Sequence, residues 1–132
     1  MSDSLIKLIY YLTALYDAAL GVGFVLFYGR IFSWFEVTPP NHPGYVQFPG
    51  LLLIVFAIMY YAIARAPRSN RGLIPYGIGL KLAYAGIVFF HWTTGGIPGM
   101  WKPFAVIDIV FALLFYWTYR ALATNRPGAR TA

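Results

Sequence analysis

Val46–Ala64 reads VQFPGLLLIVFAIMYYAIA, nineteen residues without a single charge. As a helix rising ~1.5 Å per residue, this stretch covers about 28 Å, close to the ~30 Å hydrocarbon core of a bilayer. It therefore reads as a transmembrane span. Three further apolar runs flank it, Leu8–Tyr28, Leu73–Trp92 and Pro103–Tyr119, each holding one charge. A segment in hydrocarbon must satisfy its own backbone polar groups, and runs of this length do so as helices. The predicted fold is all-α: an integral membrane four-helix bundle, one domain over residues 1–132 with spans at about 8–28, 46–64, 73–92 and 103–119.

Composition supports this reading. Hydrophobic residues make up 60% of the chain and charged residues only 11%, against about 25% charged in soluble domains. Such a chain has too little polar surface to cover a water-soluble globule. The formal net charge of +6 does not point to nucleic acid, because the basic residues stand at span ends and form no stripe that a phosphate backbone could follow. Their distribution reads instead as topology. Lys7, Arg65, Arg68, Arg71, Arg120, Arg126 and Arg130 fall on one side of the four spans and Arg30 and Lys102 on the other, which places both termini in the cytoplasm. Asp17 interrupts the first run where a signal peptide would be uniformly apolar, so that run reads as an uncleaved span. With no cysteine, disulfides, thiolate metal sites and a cysteine nucleophile are excluded.

The loops differ in character. Ala66–Gly72 is a short turn that makes the second and third spans antiparallel neighbours. Ile31–Val37 can lie in the membrane interface, followed by a stretch broken by Pro39, Pro40, Pro43 and Pro49. Thr93–Gly99 is a turn between Trp92 and Trp101, residues suited to anchoring at the headgroups. The chain also repeats itself: residues 54–65 align without a gap on residues 109–120 with six of twelve positions identical, and Gly23-Phe24-Val25 sits on Gly86-Ile87-Val88. The repetition reads as a duplicated helical hairpin about an axis along the membrane normal.

Asp17, Lys81 and Asp108 are the three charges inside the spans. A charge facing lipid near mid-membrane costs about 2.5 to 3.5 kcal/mol, so all three are expected to face the bundle interior. Helical rise puts them at similar depth. Tyr10, Ala14, Asp17, Gly21, Phe24 and Tyr28 form one stripe; Gly77, Lys81, Tyr84, Val88 and His91 a second; Phe104, Asp108, Ala112, Phe115 and Tyr119 a third. Small residues on these stripes permit close helix approach. Two carboxylates and one lysine sum to −1, which favours one carboxyl keeping its proton. The arrangement can load and unload a proton, or can serve only to fix helix register. The candidate polar site is Asp17, Lys81, Tyr84, Asp108 and His91. His42 and His91 lack the spacing of a metal motif, and no metal is expected; phosphate-binding, nucleophile-elbow and HExxH motifs are missing from the sequence.

The segments Phe48-Pro49-Gly50-Leu51-Leu52, Asn70-Arg71-Gly72-Leu73-Ile74-Pro75-Tyr76-Gly77 and Gly95-Gly96-Ile97-Pro98-Gly99-Met100-Trp101-Lys102-Pro103-Phe104, within a four-span layout, resemble those of small bacterial DoxX-like membrane proteins. That resemblance implies a bacterial inner-membrane protein with a place beside quinone-linked or thiol-linked oxidoreductase systems, and the missing cysteine leaves the quinone side. The expected function is that of a non-enzymatic accessory subunit or binder of a small lipophilic molecule such as a quinone, partnered by the lipid bilayer and by a homo-oligomer or larger membrane complex. A proton-coupled carrier acting as an oligomer is the first alternative. A membrane enzyme using Asp17, Lys81, Asp108 and His91 in acid-base chemistry is the second.

Overall fold

A computed structural model of the protein describes residues 1–124. Its elements are α1 (Asp3–Leu26), α2 (Tyr28–Trp34), α3 (Gly44–Arg65), α4 (Ile74–Thr94) and α5 (Lys102–Thr124), with single 3-10 turns at Arg71–Leu73 and Gly99–Trp101. The fold is an all-α bundle in which α1, α3, α4 and α5 are each long and apolar enough to cross a membrane. The protein is a multi-pass membrane protein.

The helices run past the apolar segments where the flanking residues allow it. α1 begins at Asp3 rather than Leu8 because the Ser2 side chain accepts the Leu5 N–H at 3.2 Å and caps the helix. It stops at Leu26, so Tyr28 opens the short α2 instead of extending the first stripe. α5 continues five residues beyond Tyr119, since neither Gly nor Pro interrupts Arg120–Thr124. Pro49 lies inside α3 rather than in the loop before it. It removes one bond to the Tyr45 carbonyl, a cost confined to the second turn of the helix.

One end of the bundle is basic. There Arg68 meets Asp3 at 2.9 Å, Arg71 donates from Nε to the Tyr119 carbonyl at 3.0 Å, and Asn70 donates to the Ala62 carbonyl at 2.8 Å. Arg126 and Arg130, counted on this side in the sequence, lie outside the described residues. α2 and the Gly95–Gly99 turn occupy the opposite end.

Close backbone packing joins α1 to α3 and α4 to α5, while backbone approaches between α3 and α4 and between α1 and α5 are sparse. α3 and α4 are neighbours chiefly through side chains: Tyr60 donates its hydroxyl to the Gly77 carbonyl at 3.3 Å. A β-carbon on Gly21 would stand 2.5 Å from the Gly50 carbonyl oxygen, so only glycine admits the observed approach of α1 to α3.

Burial repeats between the two hairpins. The buried α1 positions 10, 13, 17, 21 and 24 recur in α4 at 74, 77, 81, 85 and 88, a shift of 64. Buried α3 positions 50, 57, 60 and 63 recur in α5 at 105, 112, 115 and 118, a shift of 55 that agrees with the sequence alignment. In the first helices the shift of 63, drawn from Gly23-Phe24-Val25, is off by one, because it would pair buried Phe24 with Ile87, which is 54% exposed. Equivalent contacts follow the corrected register. Gly21 packs on Gly50 in the first hairpin, while Ala85 and Ala105 share a buried cluster in the second.

Candidate functional site

The centre of the bundle holds an ionic cluster. Lys81 Nζ donates to Asp17 Oδ1 at 2.8 Å and lies 3.1 Å from Asp108 Oδ1. Asp17 and Lys81 are 0% and 1% exposed and Asp108 6%. Taking an ion out of water costs several kcal/mol, which a partner offsets only at close, hydrogen-bonded range. Lys81 has two such partners. Three aromatic faces also surround its ammonium, with ring centroids of Tyr16, Tyr60 and Phe111 at 5.4, 5.6 and 5.4 Å. Each charge sits on the buried stripe that helical periodicity assigns it.

Toward the basic end, the space beneath the cluster is filled. Phe115 stacks on Tyr10 at 4.9 Å and packs against Tyr60 at 5.2 Å and Phe111 at 5.9 Å. Tyr10 donates its hydroxyl to Thr118 Oγ1 at 2.6 Å, because the Thr118 hydroxyl itself donates to the Phe115 carbonyl at 2.8 Å. The buried hydroxyls are thus spent within the core.

On the other side of the cluster lies a cavity of about 350 Å³. Asp17, Lys81 and Asp108 form its floor, and its walls are mainly aliphatic and aromatic. The roof comes from Phe24 of α1 and Trp101 of the 3-10 turn before α5, which stack at 5.7 Å, and Phe32 of α2 backs Trp101 edge-on at 5.9 Å. Tyr84 donates its hydroxyl to the Trp101 carbonyl at 2.9 Å and so ties α4 to that roof. Two buried polar atoms at the cavity, Asp17 Oδ2 and the Tyr16 hydroxyl, have no hydrogen-bond partner among the described residues. An unpartnered buried group of this kind costs about 1 to 3 kcal/mol, a deficit that a suitable polar ligand would remove.

Of the residues singled out from sequence, Asp17, Lys81 and Asp108 come together, and Tyr84 lines the same cavity. His91 does not join them. It lies ten residues beyond Lys81, ~15 Å along the helix, and is exposed with its ring against Phe90. His42 is also exposed; its Nδ1 accepts the Gly44 N–H at 3.0 Å where α3 begins. Sequence reasoning overlooked Tyr16, Tyr60 and Phe111 around the lysine. It assigned Trp101 to the headgroups, whereas the ring is half-buried in the roof because Phe24 and Phe32 offer it an apolar bed. The neighbour of a buried charge, Tyr16 beside Asp17, and the aligned pair Tyr60 and Phe115 were the signals available. Compared with protein-family models, with curated proteins and with solved structures, the chain matches none of them.

Proposed function

We propose that this protein binds a small lipophilic molecule with a hydrogen-bonding head, a quinone or its hydroquinone, in the cavity above Asp17, Lys81 and Asp108. The observation that carries the reading is an apolar chamber ending on Asp17 Oδ2, a buried acceptor without a partner beside a buried ammonium. Ligand pockets span roughly 300 to 1,000 Å³ and combine apolar walls with a few convergent polar groups, a description this chamber meets. An ammonium carries three protons; two point at the carboxylates, and the third is available to a ligand carbonyl. Asp17 Oδ2 can accept from a ligand hydroxyl, and the Tyr16 hydroxyl can serve either form. In this reading the protein sits in a bacterial inner membrane with both termini cytoplasmic and works as a binder or accessory subunit within a larger or oligomeric assembly.

The test is a titration of the protein in nanodiscs with decyl-substituted benzoquinone, followed by tryptophan fluorescence. Trp101 lines the cavity, while Trp34, Trp92 and Trp117 are 73%, 41% and 56% exposed on the outside of the bundle. Saturable quenching that disappears in Trp101→Phe is the expected result. Linear, non-saturating quenching that survives this substitution overturns the reading.

A second reading, a proton-coupled carrier, is favoured by one feature: two acids share one lysine, so the lysine can exchange partners when a proton or a ligand arrives. Uptake into liposomes driven by a pH gradient, and lost in Asp108→Asn, is its test.

A further inference from the structure

The cavity is closed above by Phe24 and Trp101, the latter backed by Phe32, and below by the ionic cluster, so its opening lies on a side of the bundle. Two seams separate the hairpins, one between α1 and α5 and one between α3 and α4, and both are sparse in backbone contact. Rings fill the first: Tyr16 meets Phe104 at 6.5 Å and Phe111 at 5.6 Å. By the shifts of 64 and 55, the positions equivalent to Tyr16 and Phe104 in the other seam are Leu80 and Pro49. Both line the cavity, and both are smaller than their counterparts. The exposed part of the lining lies on α3, at Tyr45, Pro49 and Leu52, an apolar rim on a helix that crosses the membrane.

From this we infer that the seam between α3 and α4 is a lateral portal through which the ligand passes between the bilayer's hydrocarbon and the cavity. The inference rests on the binding reading above and adds to it the phase from which the ligand is drawn. A molecule using this route is one dissolved in lipid. Its polar head leads toward Lys81 while its apolar tail remains among Pro49, Leu52 and Leu80. The route does not suit water-soluble molecules, because Pro49 and Leu52 are apolar and the Tyr45 hydroxyl is the one polar side-chain group among these three rim residues. The repeat explains why only one of two equivalent seams is open: the second hairpin supplies Phe104 where the first has Pro49, and the first supplies Tyr16 where the second has Leu80.

The experiment is stopped-flow quenching of Trp101 by decyl-substituted benzoquinone in proteoliposomes, with two variables. The first is the amount of lipid at fixed total quinone. In the unaltered protein the association rate is expected to follow the quinone mole fraction in the bilayer. A rate that follows the aqueous concentration overturns the portal. The second variable is closure of the seam. Leu80→Tyr with Pro49→Phe copies the filled seam into the open one and is expected to slow association by about tenfold. Adding Phe104→Ala opens the opposite seam and is expected to restore fast exchange. Saturable binding with unchanged rates in the closed variant overturns the portal alone. Absence of saturable binding in the unaltered protein overturns the binding reading and the portal with it. The lipid-dilution measurement uses only the unaltered protein, so it decides the question even where the closed variant fails to fold.

Discussion

Replacing Lys81 with methionine removes the cation that stands between two buried carboxylates, at 2.8 Å from Asp17 and 3.1 Å from Asp108. Deleting one member of a buried pair strands its partner and costs about 3 to 5 kcal/mol, and here two partners are stranded at once. Asp17→Leu is a different perturbation, because Lys81 keeps Asp108. It loses one charged hydrogen bond, worth about 1.5 to 3 kcal/mol, and eliminates the unpartnered Oδ2, whose burial costs about 1 to 3 kcal/mol. These contributions nearly offset each other, leaving an expected change between about 1.5 kcal/mol of stabilisation and about 2 kcal/mol of destabilisation. In the double variant Asp108 alone remains, the most exposed of the three at 6% and on the cavity floor. Its stability should therefore fall between the two single variants rather than at their sum. Unfolding by SDS titration, read from helical circular dichroism and tryptophan fluorescence in mixed micelles, measures all four proteins. A penalty for Lys81→Met below about 1 kcal/mol, or penalties that simply add, would show that the three groups are not energetically coupled.

The glycine contacts give a steric prediction: Gly21→Ala brings a β-carbon to 2.5 Å from the backbone oxygen of Gly50 and should prevent native α1–α3 packing. Gly79→Ala and Gly86→Ala meet open space and should shift the SDS midpoint little, the substitutions favouring the helix by up to about 1 kcal/mol. Tyr10→Phe removes the 2.6 Å hydrogen bond to Thr118; a loss of about 0.6 kcal/mol, the average for such bonds between membrane helices, is expected in the same titration. For topology, cysteines placed at exposed Ser69 and Asn41 should be labelled by an impermeant thiol reagent in intact cells at position 41 and not at 69. The reverse pattern would invert the assigned orientation.

The sequence made the spans legible because a bilayer imposes one strong constraint, and Val46–Ala64 meets it without exception. Convergence of Asp17, Lys81 and Asp108 was legible for a related reason: the cost of facing lipid leaves a charge one direction, and helical periodicity turns that direction into a stripe. What periodicity could not supply was distance across the bundle. Tyr16 sits one residue from Asp17, on the shoulder of the stripe, and only the seam between α1 and α5 decides that its ring fills space there. Trp101 was open to the same ambiguity. A tryptophan at a helix end suits a headgroup as well as a roof, and the choice depends on Phe24 and Phe32, the second contributed by a seven-residue helix too short to be marked by hydropathy. His91 shows the converse error. The stripe that carries Lys81 inward remains on the same helical face but leaves the packed part of the bundle before it reaches position 91.

Repetition of the buried register accounts for the composition of the central cluster. Asp17 and Lys81 occupy equivalent positions in the two hairpins, as do Tyr60 and Phe115, and each equivalent pair meets across the bundle, at 2.8 Å and with ring centroids 5.2 Å apart. Such meetings are what a two-fold relation along the bundle axis produces, since equivalent residues near the axis face each other. Two rings can face each other whether or not they are identical. Two identical ions cannot, because like charges in a low-dielectric interior repel by several kcal/mol at such distances. A position near the axis of a repeated hairpin therefore cannot carry the same charge in both repeats: it changes sign, as between Asp17 and Lys81, or is charged in one repeat alone. Asp108 takes the asymmetry one step further, because its equivalent in the first hairpin is Leu53, an uncharged residue that lines the same cavity. The cluster consequently holds one acid more than its cation neutralises. That surplus faces the chamber beside Asp17 Oδ2, on the side where the seam with the smaller residues opens to lipid.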